Sequence, residues 1–211
     1  MRHFLTFLTL SFLISSCSSN EKPGSYRGYE TATYEVSKKI NNFEIRKYPP
    51  ILVAEVEVEG TRTEAAKKGF RVLASYIFGS NASKQKVAMT SPVLQKEVSE
   101  KIAMTSPVRQ ISSSQKKWRV QFAMPKKYTL ENLPKPENDK IKFKVLGKKT
   151  VVAIRFSGKW SNQLFDAKKQ ELAAFVAQNK MKKIGQPIIS YYDDPFTFPW
   201  NRRNEIIQEI K

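Results

Sequence analysis

Phe43-Glu-Ile45-Arg-Lys-Tyr48-Pro49-Pro50-Ile51-Leu52-Val53-Ala54-Glu-Val56-Glu-Val58-Glu-Gly60-Thr61-Arg-Thr-Glu64 is the stretch that decides the fold class. Phe43 to Tyr48 alternates apolar and polar side chains, the period of a half-buried strand. Pro49-Pro50 interrupts it, because proline fixes φ and donates no backbone hydrogen bond. Leu52, Ala54, Val56 and Val58 then alternate with Val53 and three glutamates as a second strand. Thr61-x-x-Glu64 has the spacing of a capping box. Ala66, Phe70, Leu73 and Ile77 follow it at helical spacing, and Gly79 is placed to end the helix.

The same grammar continues outward. Trp118, Val120, Phe122 and Met124 alternate as a strand, as do Ile141, Phe143 and Val145, then Val152, Ile154 and Phe156. Ser161 is placed to cap a helix carrying Leu164, Phe165, Leu172, Phe175 and Val176, which should end near Gly185. Ile188–Tyr192 and Glu205–Ile210 read as closing strands. The order ββαββ thus occurs twice, about 100 residues apart. It predicts an α+β domain: a distorted antiparallel β-barrel or curved sheet made of two pseudo-symmetric ββαββ halves, with two flanking helices.

Composition narrows the function. The chain has 211 residues, 37 Lys+Arg against 19 Asp+Glu, one His and one Cys. One Cys excludes an internal disulfide and a Cys-based zinc site, and one His excludes a multi-His metal site. With 40% hydrophobic residues the chain is not a disordered polyelectrolyte, despite a formal net charge of +18. Basic doublets begin at 38, 67, 116, 126, 148, 168, 182 and 202, dispersed through the chain rather than gathered on one tract. A nucleic-acid footprint concentrates charge, so no nucleic-acid partner is expected. A solvated basic surface is the plain reading, and attraction to an anionic membrane or ligand is the functional one.

Both singletons lie near the N-terminus. Met1-Arg2-His3, the apolar run Phe4–Ile14 and Ser15-Ser16-Cys17 have the layout of a secretory signal. Ile14-Ser15-Ser16-Cys17 resembles a bacterial lipobox, which implies a signal peptide over 1–16 and a lipidated Cys17. Two or three acyl chains, at about 0.8 kcal/mol per buried CH₂, anchor a protein stably. Ser18 beside the lipidated residue suggests the outer membrane of a bacterial envelope. The mature chain would contain no His and would carry +17, since Arg2 is the only charged residue removed. Residues 17–30, rich in Ser, Gly, Pro and charge, read as a lipidated tether, leaving 31–211 as the folded domain.

A short repeat sits within that domain. Lys86-Val-Ala-Met89-Thr-Ser-Pro92-Val93 returns fifteen residues later as Lys101-Ile-Ala-Met104-Thr-Ser-Pro107-Val108. A local duplication explains the extra copy, and proline confines each copy to a strand end or edge. The alternative is that one copy lines a pocket with Met and Thr.

The repeat unit is similar to a hallmark of the SOUL/heme-binding protein family. So are Tyr192-Asp-Asp-Pro195-Phe-Thr-Phe-Pro199-Trp-Asn-Arg202-Arg203-Asn204-Glu205-Ile206, Met124-Pro125-Lys-Lys-Tyr128, Leu133-Pro134-Lys-Pro136, and Tyr34-Glu35-Val36 with Phe43-Glu44-Ile45-Arg46. The resemblance spans residues 31–211 in order. It implies a non-covalent heme or tetrapyrrole ligand in a groove between the first helix and the C-terminal loop. By position it assigns Lys67, Phe70, Leu73 and Ala74 from the helix, and Tyr192, Pro195 and Phe196 from the loop, with Lys67 meeting a propionate. Phe70 and Leu73 read equally well as core stripe. Some relatives are thought to use a His ligand, which the mature chain lacks. Met89 or Met104 are then the candidate axial ligands, with Met124, Tyr191, Tyr192 and Lys67 as further donors. Arg202-Arg203 could clasp a carboxylate, but Glu205, Asp193 and Asp194 offer internal partners.

The expected function is a membrane-anchored heme- or tetrapyrrole-binding protein that sequesters or carries its ligand and is not an enzyme. An alternative is a hydrolase of a related barrel fold acting on a small hydrophobic molecule, with Glu35 or Glu55 working beside a pocket Tyr. Another is an envelope module that binds a partner peptide. The anchor has a direct check: Cys17→Ala should move the protein from the membrane fraction to the soluble fraction, and retention would mean that lipidation is not what holds it.

Overall fold

Cross-strand register, more than any single element, shows how this chain folds. The computed structural model describes residues 24–97 and 116–211. In chain order the elements are β1 (Ser25–Tyr26), β2 (Tyr29–Thr31), β3 (Glu35–Ile40), β4 (Phe43–Tyr48), β5 (Ile51–Gly60), α1 (Arg62–Ile77), β6 (Thr90–Ser91) and β7 (Val93–Glu97). They continue with β8 (Lys116–Ala123), β9 (Lys142–Leu146), β10 (Lys149–Phe156), α2 (Asn162–Gln178), β11 (Lys183–Tyr191) and β12 (Asn204–Ile210). Nine strands make one antiparallel sheet in the order β3-β4-β10-β12-β11-β7-β8-β5-β9, and β1, β2 and β6 make a small second sheet. Within the sheet β4 pairs with β10, and β9 with β5.

The sheet is open, which corrects the expectation of a barrel. Its ends, β3 and β9, do not pair with each other. Both edges carry lysines, Lys38 and Lys39 on β3 and Lys142 and Lys144 on β9. Like charges brought opposite each other destabilise a strand pair, and lysine is a common guard of exposed edges.

Both helices pack on one face. Val93, Phe122, Gln95, Val120, Ile189 and Tyr191 are register partners and so share a side of the sheet. α2 buries Phe165, Leu172, Phe175 and Val176 against Val152, Ile154, Ile189 and Ile206. α1 buries Leu73, Tyr76 and Ile77 against Ala54, Val56, Val120 and Phe122. The opposite face holds Tyr48, Val151, Ala153, Ile188 and Ile207, with Ile51 and Leu94 at its margin.

The N-caps follow the sequence on both helices, with Ser161 Oγ accepting from Leu164 N–H on α2, while the C-terminal end departs from it on α2. Thr61 and Glu64 exchange both bonds of a capping box. At the C-terminus of α1, Gly79 (φ +115) and Ser80 donate to Tyr76 O and Ser75 O, satisfying carbonyls that the helix leaves unpaired. α2, in contrast, ends at Gln178, not near Gly185. Lys180, at φ +54, takes the left-handed position that glycine more often fills, and Lys180 and Met181 donate to Ala177 O and Val176 O. Gly185 instead lies within β11, where the register with β12 shifts.

Two further expectations shift. Residues 25–30, read as part of the tether, fall in the hairpin of β1 and β2, and β2 runs parallel to β6 of the first Met-Thr-Ser-Pro copy. The α1 stripe differs at its start: Ala65 and Gly69 are buried where Ala66 and Phe70 were expected and Phe70 is 43% exposed, while Leu73 and Ile77 are buried as the spacing predicts. A Cβ on Gly69 would stand 2.4 Å from Val120 Cγ2, so the helix crosses β8 closer than any side chain permits. Gly69→Ala should therefore destabilise the fold by about 1–3 kcal/mol in urea unfolding, and Val120→Ala in the same chain should recover part of the loss.

Candidate ligand-binding site

A cleft of about 510 Å³ opens at the end of the sheet where β5 begins and β8 finishes. Its geometry follows from local chemistry. Pro49-Pro50 forces the β4–β5 connection to turn without a backbone donor. Met124 N–H donates to Leu52 O, holding the chain beyond β8 against the start of β5. The Tyr76 hydroxyl donates to Pro134 O at 2.9 Å, pinning the 124–141 connection to α1; burial, reinforced by Tyr128, pushes this phenol up to about 12. The N-terminal hairpin supplies the remaining wall: Lys126 N–H donates to Glu30 Oε1, and Thr31 pairs with Ser91.

The walls are largely apolar, with Ala32, Pro49, Pro50, Ile51, Leu52, Met124, Pro125, Tyr128, Leu130 and Val145. Thr31, Thr33, Thr90, Lys126, Thr129, Glu30 and Glu131 supply its polar groups. This is the usual chemistry of a small-molecule site, a concave apolar surface with a few oriented polar groups. The Met124 thioether and the Tyr128 phenol are the soft and phenolic donors in the wall, and Met124 is also buried in the core beneath α1. Lys126 offers a charge to an acid group at its rim.

The residues assigned by sequence do not form one groove. Lys67 and Phe70 are exposed on α1, where the Phe70 ring leans on Phe122 at 5.5 Å. Leu73 is fully buried in the core beneath that helix, and Ala74 is buried too. Met89 packs against the same core. Pro195 and Phe196 are exposed on the C-terminal loop. Tyr192 lies on the sheet face opposite α1, edge-on to Tyr26, and its hydroxyl donates to Glu205. Tyr191 faces the helices, but its hydroxyl accepts from Arg62 and donates to Gln95. Both tyrosines are thereby withdrawn from metal ligation, because their oxygens are buried and already bonded. Cys17, Met104 and the second repeat lie outside the described residues. Of the carboxylates considered for catalysis, Glu55 accepts from Gln121 at 2.6 Å and Glu35 is exposed on edge strand β3. Among the described residues no group of three or more His, Cys, Asp or Glu side chains is placed to hold a metal ion.

Sequence reasoning missed most of the cleft, though the Met124-Pro125-Lys-Lys-Tyr128 motif names one wall. It also missed Arg62, whose guanidinium donates to Asn162, Trp160 O and Tyr191 and lies 4.5 Å over Phe165. That one side chain ties the start of α1 to the start of α2.

Beneath the N-terminal hairpin is a buried charge network. Glu205 accepts from Arg46 Nη1 at 2.6 Å and Nη2 at 3.1 Å, from Arg203 Nε at 3.0 Å and Nη2 at 2.8 Å, and from Tyr192 at 3.1 Å. Arg46 also pairs with Glu44, and Asp193 accepts from Tyr26 and from the Arg203 backbone amide. The Arg203–Glu205 pairing is internal, as one of the two sequence readings had it. Arg202 is likewise spent within the loop, donating to Thr197 O and Pro195 O. Burial alone would raise the Glu205 carboxyl, but Arg46 and then Arg203 outweigh it and hold the group below its usual value of 4.5. Burial also drives the Tyr48 and Tyr192 phenols upward.

Comparison with known proteins adds family and fold. The family model of the SOUL heme-binding protein matches residues 29–209. No curated protein sequence matches the chain significantly. Among solved structures, the EcmrR C-terminal domain is 12% identical with a TM-score of 0.58, covering 84% of this chain and 98% of that one. A protein of Listeria innocua described as a hydrolase is 13% identical with a TM-score of 0.56, covering 81% and 92%. SAV2435, bound to tetraphenylphosphonium, is 10% identical with a TM-score of 0.50, covering 80% and 93%. At these identities the likeness is one of fold alone.

The carboxylate network predicts an acid response. The folded value of Glu205 lies below its unfolded value, so its stabilisation is complete above about pH 4.5 and is lost as pH falls through the folded value. Glu205→Gln removes the carboxylate that Arg46 and Arg203 share, leaving Arg46 with Glu44, and should cost about 3–5 kcal/mol at neutral pH. Its unfolding free energy should also vary less than that of the native chain between about pH 6 and pH 3.

Proposed function

The chain belongs to the SOUL heme-binding protein family, and on that premise we propose that it holds heme or a related tetrapyrrole non-covalently in the cleft beside Met124. We take it to sequester or carry the ligand without catalysis, while tethered to the bacterial outer membrane through a lipidated Cys17. The observation that carries the reading is the coincidence of a family-like motif with the cleft: Met124, Pro125, Lys126 and Tyr128 all line it. The residues suit the ligand. A tetrapyrrole is a flat apolar disc with acid groups on one edge, and here an apolar wall has Lys126 at its rim, with Glu30 and Glu131 also lining the cleft. Heme, when bound, would supply a redox-active iron and a visible chromophore. The chain's own contribution is to exclude water with Leu52, Ile51, Pro50 and Val145, to meet an acid group with Lys126, and to offer the Met124 thioether or Tyr128 phenol to iron. The twofold ββαββ order supports a further reading, that the domain arose by duplication with exchanged first strands.

Titration of the mature chain with hemin, followed by absorbance, tests the proposal. Saturable one-to-one binding is expected at micromolar concentration. Met124→Leu, which conserves volume, should alter the hemin spectrum while leaving iron-free protoporphyrin binding intact. Lys126→Glu should weaken both ligands by roughly tenfold, about 1.4 kcal/mol. Phe70→Asp, on the exposed side of α1, should leave binding unchanged. Absence of saturable binding would sink the reading, and loss of binding in Phe70→Asp alone would move the site to α1.

A further inference from the structure

The C-terminal loop between β11 and β12 exposes three large aromatic side chains: Phe196 is 91% exposed, Phe198 62% and Trp200 68%. A loop with this much apolar surface ordinarily folds some of it inward. This one is braced so that it does not. Asp194 accepts from the backbone amides of Phe196 and Thr197 and from the Thr197 hydroxyl. Arg202 reaches back to Thr197 O and Pro195 O while its guanidinium covers Trp160 at 4.5 Å. Gly158 N–H donates to Pro199 O, and Asn201 N–H to Phe198 O. The Phe198 and Trp200 rings are stacked, 4.8 Å apart and 7° from parallel, so they form one flat apolar projection. Much of the loop's backbone polarity is thus satisfied internally while its rings point to solvent, an arrangement suited to an apolar or interfacial medium.

The start of the folded chain lies against this loop. Arg27 Nη2 donates to Asn201 O at 3.0 Å and Nη1 pairs with Asp193 at 3.2 Å, while Tyr26 donates to Asp193. Cys17 stands only seven residues before Gly24, a stretch that spans at most about 25 Å when fully extended. A lipid on Cys17 would therefore keep this end of the domain, with its rings and the exposed Arg27 and Lys159, close to the bilayer. Tryptophan prefers the headgroup region, phenylalanine the acyl boundary, and adjacent cations favour anionic lipid.

We propose that Phe196, Phe198 and Trp200 form a membrane-docking loop that inserts into the interface of the bilayer carrying the lipid anchor. The proposal rests on the lipidation reading for its geometry, but not on tetrapyrrole binding. Docking fixes the orientation of the domain, where a tether alone would let it tumble.

Tryptophan fluorescence tests this on the mature lipidated chain in vesicles of phosphatidylethanolamine and phosphatidylglycerol, with brominated acyl chains as quenchers. The expected result is a blue shift and quenching that disappear in Trp200→Phe, since Trp118 is buried and Trp160 lies under Arg202. The Cys17→Ala chain, run alongside, separates the two readings. If it partitions as the native chain does, lipidation is not the anchor, and docking is still read from Trp200 in the vesicle-bound fraction. Unchanged emission on vesicles overturns docking, as does quenching that persists in Trp200→Phe. Concentration-dependent dimerisation abolished by Phe198→Ser would also overturn it, by assigning the patch to a second copy.

Discussion

A single buried carboxylate holds distant parts of this chain in one arrangement. Glu205 sits on β12, near the middle of the sheet order, and is reached by Arg46 from β4 and by Arg203 from the loop before β12. A carboxylate so buried would be untenable alone, since removing an ion from water costs several kcal/mol even after relaxation. Two guanidiniums and a phenol supply the compensation. Neither arginine is redundant, for Arg46 makes two bonds and carries Glu44 with it, while Arg203 lies 4.0 Å over the Tyr192 ring. The backbone amide of Arg203 then bonds Asp193, and Asp193 holds the N-terminal hairpin through Tyr26 and Arg27. The hairpin and the C-terminal loop are thus held through two buried carboxylates, Glu205 and Asp193.

This constraint also explains which parts of the structure were legible in the sequence. The strands around Phe43–Tyr48 and Leu52–Val58, the Thr61–Glu64 capping box and the α2 stripe are set by periodicity and local hydrogen bonding, and they stand where the pattern puts them. Features that depend on what lies across space were not legible. Gly69 looks like a weak helix residue until Val120 is placed against it, where only a missing Cβ lets α1 come so close to β8. Lys180 gives no glycine-like stop signal, so the end of α2 was read too late. Residues 25–30 look like linker because their strands are very short and their partners, β6 and Asp193, are about 60 and 165 residues away.

The site was less legible than the fold for the same reason. The groove on α1 was implied by the family resemblance and carried over by position, whereas the helical spacing itself reads equally well as core stripe. The cleft is built from strand ends, a Pro-Pro turn and the 124–131 connection, none of which has a period. Its one readable sign was the Met124-Pro125-Lys-Lys-Tyr128 motif. Tyr192 shows the hazard of placing residues by sequence neighbourhood: Tyr191 and Tyr192 are adjacent, but strand alternation sends one to the helical face and the other to the Glu205 face.

The N-terminal hairpin is where fold, cleft and surface meet. Its second strand pairs with Thr90-Ser91 of the first repeat copy, and the residues that follow, Thr31 to Thr33, form a wall of the cleft. Its first strand and turn lock onto Asp193 and Asn201, at the base of the aromatic loop. Ser91 in turn donates to Tyr192 O, so the repeat copy is clasped from both sides. This gives the Met-Thr-Ser-Pro stretch a structural role, joining hairpin to sheet, for which hydroxyls and a strand-ending proline are well suited. The lysines also take on a local meaning. Those on β3 and β9 guard the sheet's edges, Lys126 stands at the cleft, and Lys149, with its ammonium disfavoured by burial, lies 5.8 Å from the Tyr48 ring. The large positive charge is therefore the sum of several local requirements, which is why it is dispersed along the chain.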